Sequence, residues 1–184
     1  YNGDDGKSSV TMTITDSGGN VRKRVFTVMR KDVVEDGEQM FYILFHEPSD
    51  VARTTFIVHK HMKKEDDRWL YLPDLDLVKR IAGGDKRTSF VGSNFFYEDV
   101  SGRHVEADQH VLESTSGDYY VLKSTPKDPK SVEFASSKMW IHRKSFVVVQ
   151  ASYYDAEGEE IRRYSALKVK NLQGHPTVVQ SRMT

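Results

Sequence analysis

The chain has 184 residues, with 27 Lys+Arg against 27 Asp+Glu and no formal net charge, so the basic excess that nucleic-acid binding draws on is absent and no nucleic-acid partner is expected. It has no cysteine, which excludes disulfides, a thiol nucleophile and a Cys-based zinc site. No apolar run approaches the ~20 residues of a membrane-spanning helix, so the chain is not expected to span a membrane. Its length reads most simply as one domain, 1–184, able to bury roughly 70% of its unfolded surface.

The polar stretch Tyr1 to Lys7 is expected to be a frayed lead-in. Ser8 to Thr15 alternates strictly, with Val10, Met12 and Ile14 on one face and Thr11, Thr13 and Thr15 on the other, the signature of a half-buried strand. Asp16 to Asn20 supplies hairpin-turn residues, and Val21 to Lys31 returns as a second strand carrying Phe26 and Val28. After a turn at Asp36-Gly37, Gln39 to Glu47 is apolar on both faces, Phe41, Ile43 and Phe45 against Met40, Tyr42 and Leu44, which predicts cover on both sides. Arg53 to His61 is a further strand, with Phe56 and Val58 opposite Ile57, His59 and His61.

The stretch from Asp67 to Gly102 organises the rest. It opens as a strand from Trp69 to Leu72, stopped by Pro73. A short strand, Leu77 to Ile81, follows and is broken by Gly83-Gly84. SFVGSNFFYEDV, Ser89 to Val100, is too aromatic for a solvated loop. Ser93 or Asn94 is placed to cap one helical turn over Phe95 to Asp99. Beyond Gly102 the pattern stays β, with strands within 105–114, 118–125, 132–142, 146–154, 161–170 and 177–183, and turns at Gly117, Pro126 to Pro129, Gly158 and Gly174. Turn spacing of roughly 10 to 15 residues predicts an antiparallel meander that closes or half-closes on itself.

The order WLYLP from Trp69, the basic Lys79-Arg80-Ile81 and then SFVGSNFFYEDV from Ser89 resembles the pattern of outer-membrane lipoprotein-sorting proteins of the LolA-like superfamily. Weaker matches extend the likeness over most of the chain: the Gly18-Gly19 hairpin, STPK at Ser124 to Lys127, Trp140-Ile141, and YYDAEGE from Tyr153 to Glu159. The family carries an N-terminal helix and further C-terminal strand that are not read here, so terminal elements are expected to be lacking. The resemblance implies an all-β or β-rich α+β fold, a curved antiparallel sheet of about ten strands forming an incomplete barrel with a short helical or loop plug. It also implies a non-enzymatic carrier or sorting protein in the periplasm of the Gram-negative envelope, associated with the outer membrane. Lipid or lipoprotein acyl chains are then the ligand, a membrane transporter is a further partner, and no cofactor is called for.

From the residues alone, the aromatic side chains fill the core of a small barrel. The resemblance instead makes them the lining of an apolar cavity, built from Met12, Ile14, Phe26, Val28, Phe41, Ile43, Phe45, Phe56, Val58, Trp69, Tyr71, Phe90, Phe95 and Phe96. Ser89 to Val100 is then expected to act as a lid, latched by Glu98 and Asp99 on Arg80 or Arg87. The same acidic pair reads alternatively as a general acid and base in a dry site, but ion pairing with the neighbouring Lys and Arg is preferred. No nucleophile elbow or phosphate-binding Gly loop is present, so no catalytic residue is assigned. His59 and His61 share one strand face at a spacing that can hold a metal, but no third ligand stands nearby in sequence, and they read as a solvated strand end. His104 and His110 carry less signal still. The alternative to a carrier is a sensor or interaction module of the same fold that takes a protein or peptide partner on a sheet edge or its aromatic face.

Overall fold

A computed structural model describes residues 4–34 and 37–184. Among them are twelve strands in two six-stranded antiparallel sheets, each a simple meander. The expectation of an antiparallel, helix-poor meander is met. The count is twelve rather than about ten, and the strands pair in two open sheets rather than one. The chain divides between Gly102 and Arg103 into two compact units.

The first unit holds β1 (Asp5–Thr15), β2 (Val21–Asp32), β3 (Gln39–Glu47), β4 (Thr55–Lys60), β5 (Asp67–Leu72) and β6 (Leu77–Arg80), paired in that order. β1 starts inside the stretch expected to fray, and its register follows the alternation: Ile14 is buried and Met12 half-buried, while Thr11, Thr13 and Thr15 are exposed. Asp16 closes the β1–β2 hairpin by accepting from the Gly18 and Asn20 N–H groups, both at 2.9 Å. Asp36, in the next expected turn, lies outside the described residues.

One face of this sheet is the core. Phe26, Phe41, Ile43, Phe45, Phe56, Val58 and Leu70 are all buried there, joined by Ile81, Phe90 and Tyr97 from the segment after β6. Each large apolar side chain so enclosed contributes about 1.5–3 kcal/mol. The other face of β3 does not have the cover that its apolar pattern predicts. Met40 is exposed, and Tyr42 and Leu44 are half-buried. An apolar row is compatible with cover but does not supply it, because the covering element must come from elsewhere in the chain.

The second unit holds β7 (Asp108–Ser116), β8 (Tyr119–Pro126), β9 (Ser136–His142), β10 (Val148–Tyr154), β11 (Glu160–Leu172) and β12 (His175–Met183). Its buried apolar residues are fewer: Val121, Phe134 and Ala151. Phe134 meets the Tyr153 ring edge-on at 5.0 Å between centroids, and Arg103 is fixed by three hydrogen bonds of 3.0–3.1 Å to Asp108.

Candidate functional site

The aromatic stretch packs onto the buried face of the first sheet. Phe90 N–H donates to the Phe95 carbonyl at 2.7 Å, closing a tight loop in which Gly92 sits at φ 78°. Positive φ there suits glycine, which has no Cβ to clash. The loop leads into α1 (Tyr97–Ser101), which begins two residues later than the sequence predicts. Ser93 is not its cap, because its hydroxyl donates to the Phe90 carbonyl at 2.7 Å and accepts from the Phe95 N–H. Asp99 instead reaches back to accept from the Phe96 N–H at 2.7 Å, the side-chain half of a capping box.

Phe90 is the hub. Its ring centroid lies 6.4 Å from Phe26, 5.7 Å from Phe45, 5.7 Å from Phe56 and 5.5 Å from Tyr97. Of the fourteen residues that the resemblance assigns to a cavity, Phe26, Phe41, Ile43, Phe45, Phe56, Val58 and Phe90 thus meet in a packed core, with Ile14 buried on the same sheet face. Met12, Val28 and Phe95 pack against its margin. Phe96 is half-buried under the Arg87 guanidinium, 4.4 Å above its ring. Trp69 and Tyr71 stand on the opposite face of the sheet, because the buried positions of β5 are Arg68 and Leu70.

Two cations meet Glu98 of the loop. Arg87 donates to Glu98 at 3.0 Å, and Lys86 adds a contact at 3.5 Å. Arg80 pairs with Asp67 instead. Glu98 is only 3% exposed, so this is an enclosed ion pair rather than a solvated latch. A second buried group holds the end of the stretch. Asp66 pairs with Arg68, accepts from the His61 N–H at 3.2 Å and from the Ser101 hydroxyl at 3.4 Å. Lys60 donates to the Ser101 and Gly102 carbonyls at 2.7 and 3.1 Å. Burial holds the Lys60 ammonium below the usual lysine range, against the attraction of Asp66.

The opposite face of the first sheet carries an apolar row. Met29 lies beside Tyr42, Tyr42 beside Ile57, and Ile57 beside Trp69, with Met40, Leu44, Tyr71 and Val78 in flanking rows. Met29, Met40, Ile57 and Val78 are exposed. His59 and His61 are on this face too, beside Glu38, a neighbour that sequence spacing does not show. His110 is structural, hydrogen-bonded to Ser124 and to the Val105 carbonyl. In the second unit a polar cleft of about 320 Å³ is lined by Asp118, Tyr120, Arg143 and Lys144. No helix of the described residues is long and apolar enough to cross a membrane.

A family model whose description reads "uncharacterized protein" matches residues 37–184. No curated protein matches the chain. Among solved structures, a DUF1329 family protein from Desulfovibrio piger superposes with a TM-score of 0.89 at 28% identity, over 98% of this chain and 78% of that one. A domain from Vibrio parahaemolyticus, provisionally named an outer membrane lipoprotein-sorting protein domain, gives 0.86 at 26% identity, over 98% and 77%. A LolA superfamily protein from Nitrosomonas europaea gives 0.71 at 17% identity, over 100% and 79%, a likeness of fold. The chain belongs to the family of the matching model, and its fold is that of the LolA-like superfamily.

Proposed function

We propose that the chain, acting as one domain, is a non-enzymatic carrier or sorting protein of the Gram-negative periplasm that binds lipid or lipoprotein acyl chains and exchanges them with a membrane transporter at one end of its path. The fold, shared with a domain named for lipoprotein sorting, supports the reading. The observation that carries it is the apolar row Met29, Tyr42, Ile57 and Trp69 with Met40 beside it, on a sheet face left half-open. Each buried CH₂ contributes about 0.8 kcal/mol, so a carrier needs a long apolar track and not one deep contact. Cross-strand rows of Met, Ile and aromatic side chains supply such a track, and Met adapts to irregular ligands. The opposite face is filled by the protein's own rings and offers an acyl chain no room as it stands.

Titration of the full chain with a fluorescent fatty acid tests this. Saturable binding is expected, weakened at least about tenfold, a loss of about 1.4 kcal/mol, in a Met40→Ser/Ile57→Ser variant whose circular dichroism is unchanged. Quenching of Trp69, isolated in a Trp140→Phe background, should accompany binding. No saturable binding by the unmodified chain overturns the carrier reading. Binding unchanged in the double variant removes the site from this face.

A further inference from the structure

We propose that Glu38, His59 and His61 form a binding site for a divalent transition-metal ion, zinc in the first place. This inference stands apart from lipid carriage, since it concerns different side chains and a different ligand.

Strand register assembles the site. β3 and β4 pair with Gln39 opposite Lys60 and Met40 opposite His59. Continuing that ladder by one residue sets Glu38 across from His61. β4 and β5 pair with His59 opposite Asp67. Side chains alternate along a strand, so His59 and His61 share a face, and Glu38 and Asp67 join them there from the two neighbouring strands. The third ligand is therefore 21 residues from His59, supplied by pairing and not by local spacing.

The atoms converge. Glu38 Oε2 lies 3.0 Å from His59 Nε2, and Glu38 Oε1 lies 2.9 Å from His61 Nδ1. The three candidate ligand atoms all fall within 4.8 Å of one another, and the imidazole centroids are 4.1 Å apart. Tetrahedral zinc with bonds of about 2.0–2.1 Å holds its ligands about 3.4 Å apart, so the carboxylate must withdraw by a few tenths of an ångström and the side chains must turn to bring all three atoms, which lie within 4.8 Å of one another, to that spacing. Glu38 can do so, since its side chain is 40% exposed, whereas His61 is 5% exposed and held in place. The open side of Glu38 leaves a fourth position for water or an exogenous ligand, and two imidazoles with one carboxylate suit zinc without any thiolate.

Asp67 provides the outer support. Its Oδ2 is 2.9 Å from His61 Nε2, and its Oδ1 accepts from Arg80. A carboxylate on the far nitrogen holds the proton at Nε2 and turns the Nδ1 lone pair toward Glu38, the arrangement that orients metal-binding histidines. Without metal the same contacts favour the protonated imidazole. Burial pulls the His61 pKa down, the hydrogen bonds to Glu38 and Asp67 push it up, and the carboxylates prevail. Glu38 and Asp67 are both held below the usual carboxylate range, chiefly by hydrogen bonds to His61.

The test is calorimetric titration of zinc chloride into the full, untagged chain after chelator treatment and dialysis. One-to-one saturable binding is expected, lost in His59→Ala and in Glu38→Ala. Both side chains are partly exposed, so these variants should keep the fold by circular dichroism. Asp67→Asn should weaken binding about 10- to 100-fold without abolishing it. Zinc should also raise the melting temperature of the unmodified chain and not that of His59→Ala. Absence of saturable binding overturns the site. So does zinc affinity that is the same in His59→Ala and Glu38→Ala as in the unmodified chain.

Discussion

A Phe90→Ala/Phe95→Ala variant is expected to lose most of the first unit's stability rather than to uncover a ligand cavity. Phe90 is 4% exposed and contacts four other rings, three of them on β2, β3 and β4. Truncating a buried Phe to Ala costs about 3–5 kcal/mol, to which Phe95 at the margin adds a smaller amount. Domains of this kind hold about 5–15 kcal/mol in all. The urea midpoint followed by circular dichroism should therefore fall steeply, and Phe90→Leu, which keeps most of the volume, should lie between. A midpoint close to that of the unmodified chain would show that the rings are dispensable to the fold and free to serve as a lid. The comparison matters for function. A lid carrying Phe90 would have to break these contacts at each opening, a far larger cost than the ~0–1 kcal/mol of a solvated ion pair. Nor is the Arg87–Glu98 pair solvated, since Glu98 is buried and Arg87 is only 12% exposed.

The strands were legible where one face is buried and the other wet. Val10, Met12 and Ile14 alternate with three threonines, and a slip of one residue would expose the whole apolar set, so pattern and register coincide. The same logic misleads at β5. Trp69 and Tyr71 are the conspicuous residues, yet Arg68 and Leu70 face the core, because pairing sets Leu70 opposite Phe56 and Arg68 opposite Val58. A charged residue at an inward position gives no apolar signal. The one clue was Asp66 two residues earlier, the partner that makes its burial tolerable. Glu38 was hidden for a different reason: a ligand set split across two strands is visible only once their register is known. The division into two sheets was likewise illegible, since turn spacing marks where strands end and not which of them share hydrogen bonds.

Removing the Asp66 carboxylate should be among the most damaging single changes in the protein. Arg68 is the largest of its fully buried side chains, and Asp66 is its ion-pair partner. Arg68 Nε and Nη1 have no hydrogen-bond partner among the described residues. Lys60, with its ammonium already disfavoured by burial, feels Arg68 as a like charge and Asp66 as the opposite one. Asp66→Ala therefore leaves Arg68 without its ion-pair partner and Lys60 with only Glu98 to offset the repulsion from Arg68, and it frees the His61 N–H and the Ser101 hydroxyl from their acceptor. Loss of one partner of a buried pair costs about 3–5 kcal/mol. Arg68→Met alone should also be costly, because it leaves the buried Asp66 carboxylate without its ion-pair partner, whereas replacing both members of a buried pair by apolar groups is often neutral. The double variant Asp66→Ala/Arg68→Met should unfold at a higher urea concentration than Asp66→Ala alone, a coupling that only interacting neighbours show. If Asp66→Ala unfolds within about 1 kcal/mol of the unmodified chain, or if the two changes simply add, the pair does not hold the end of the aromatic segment on the sheet.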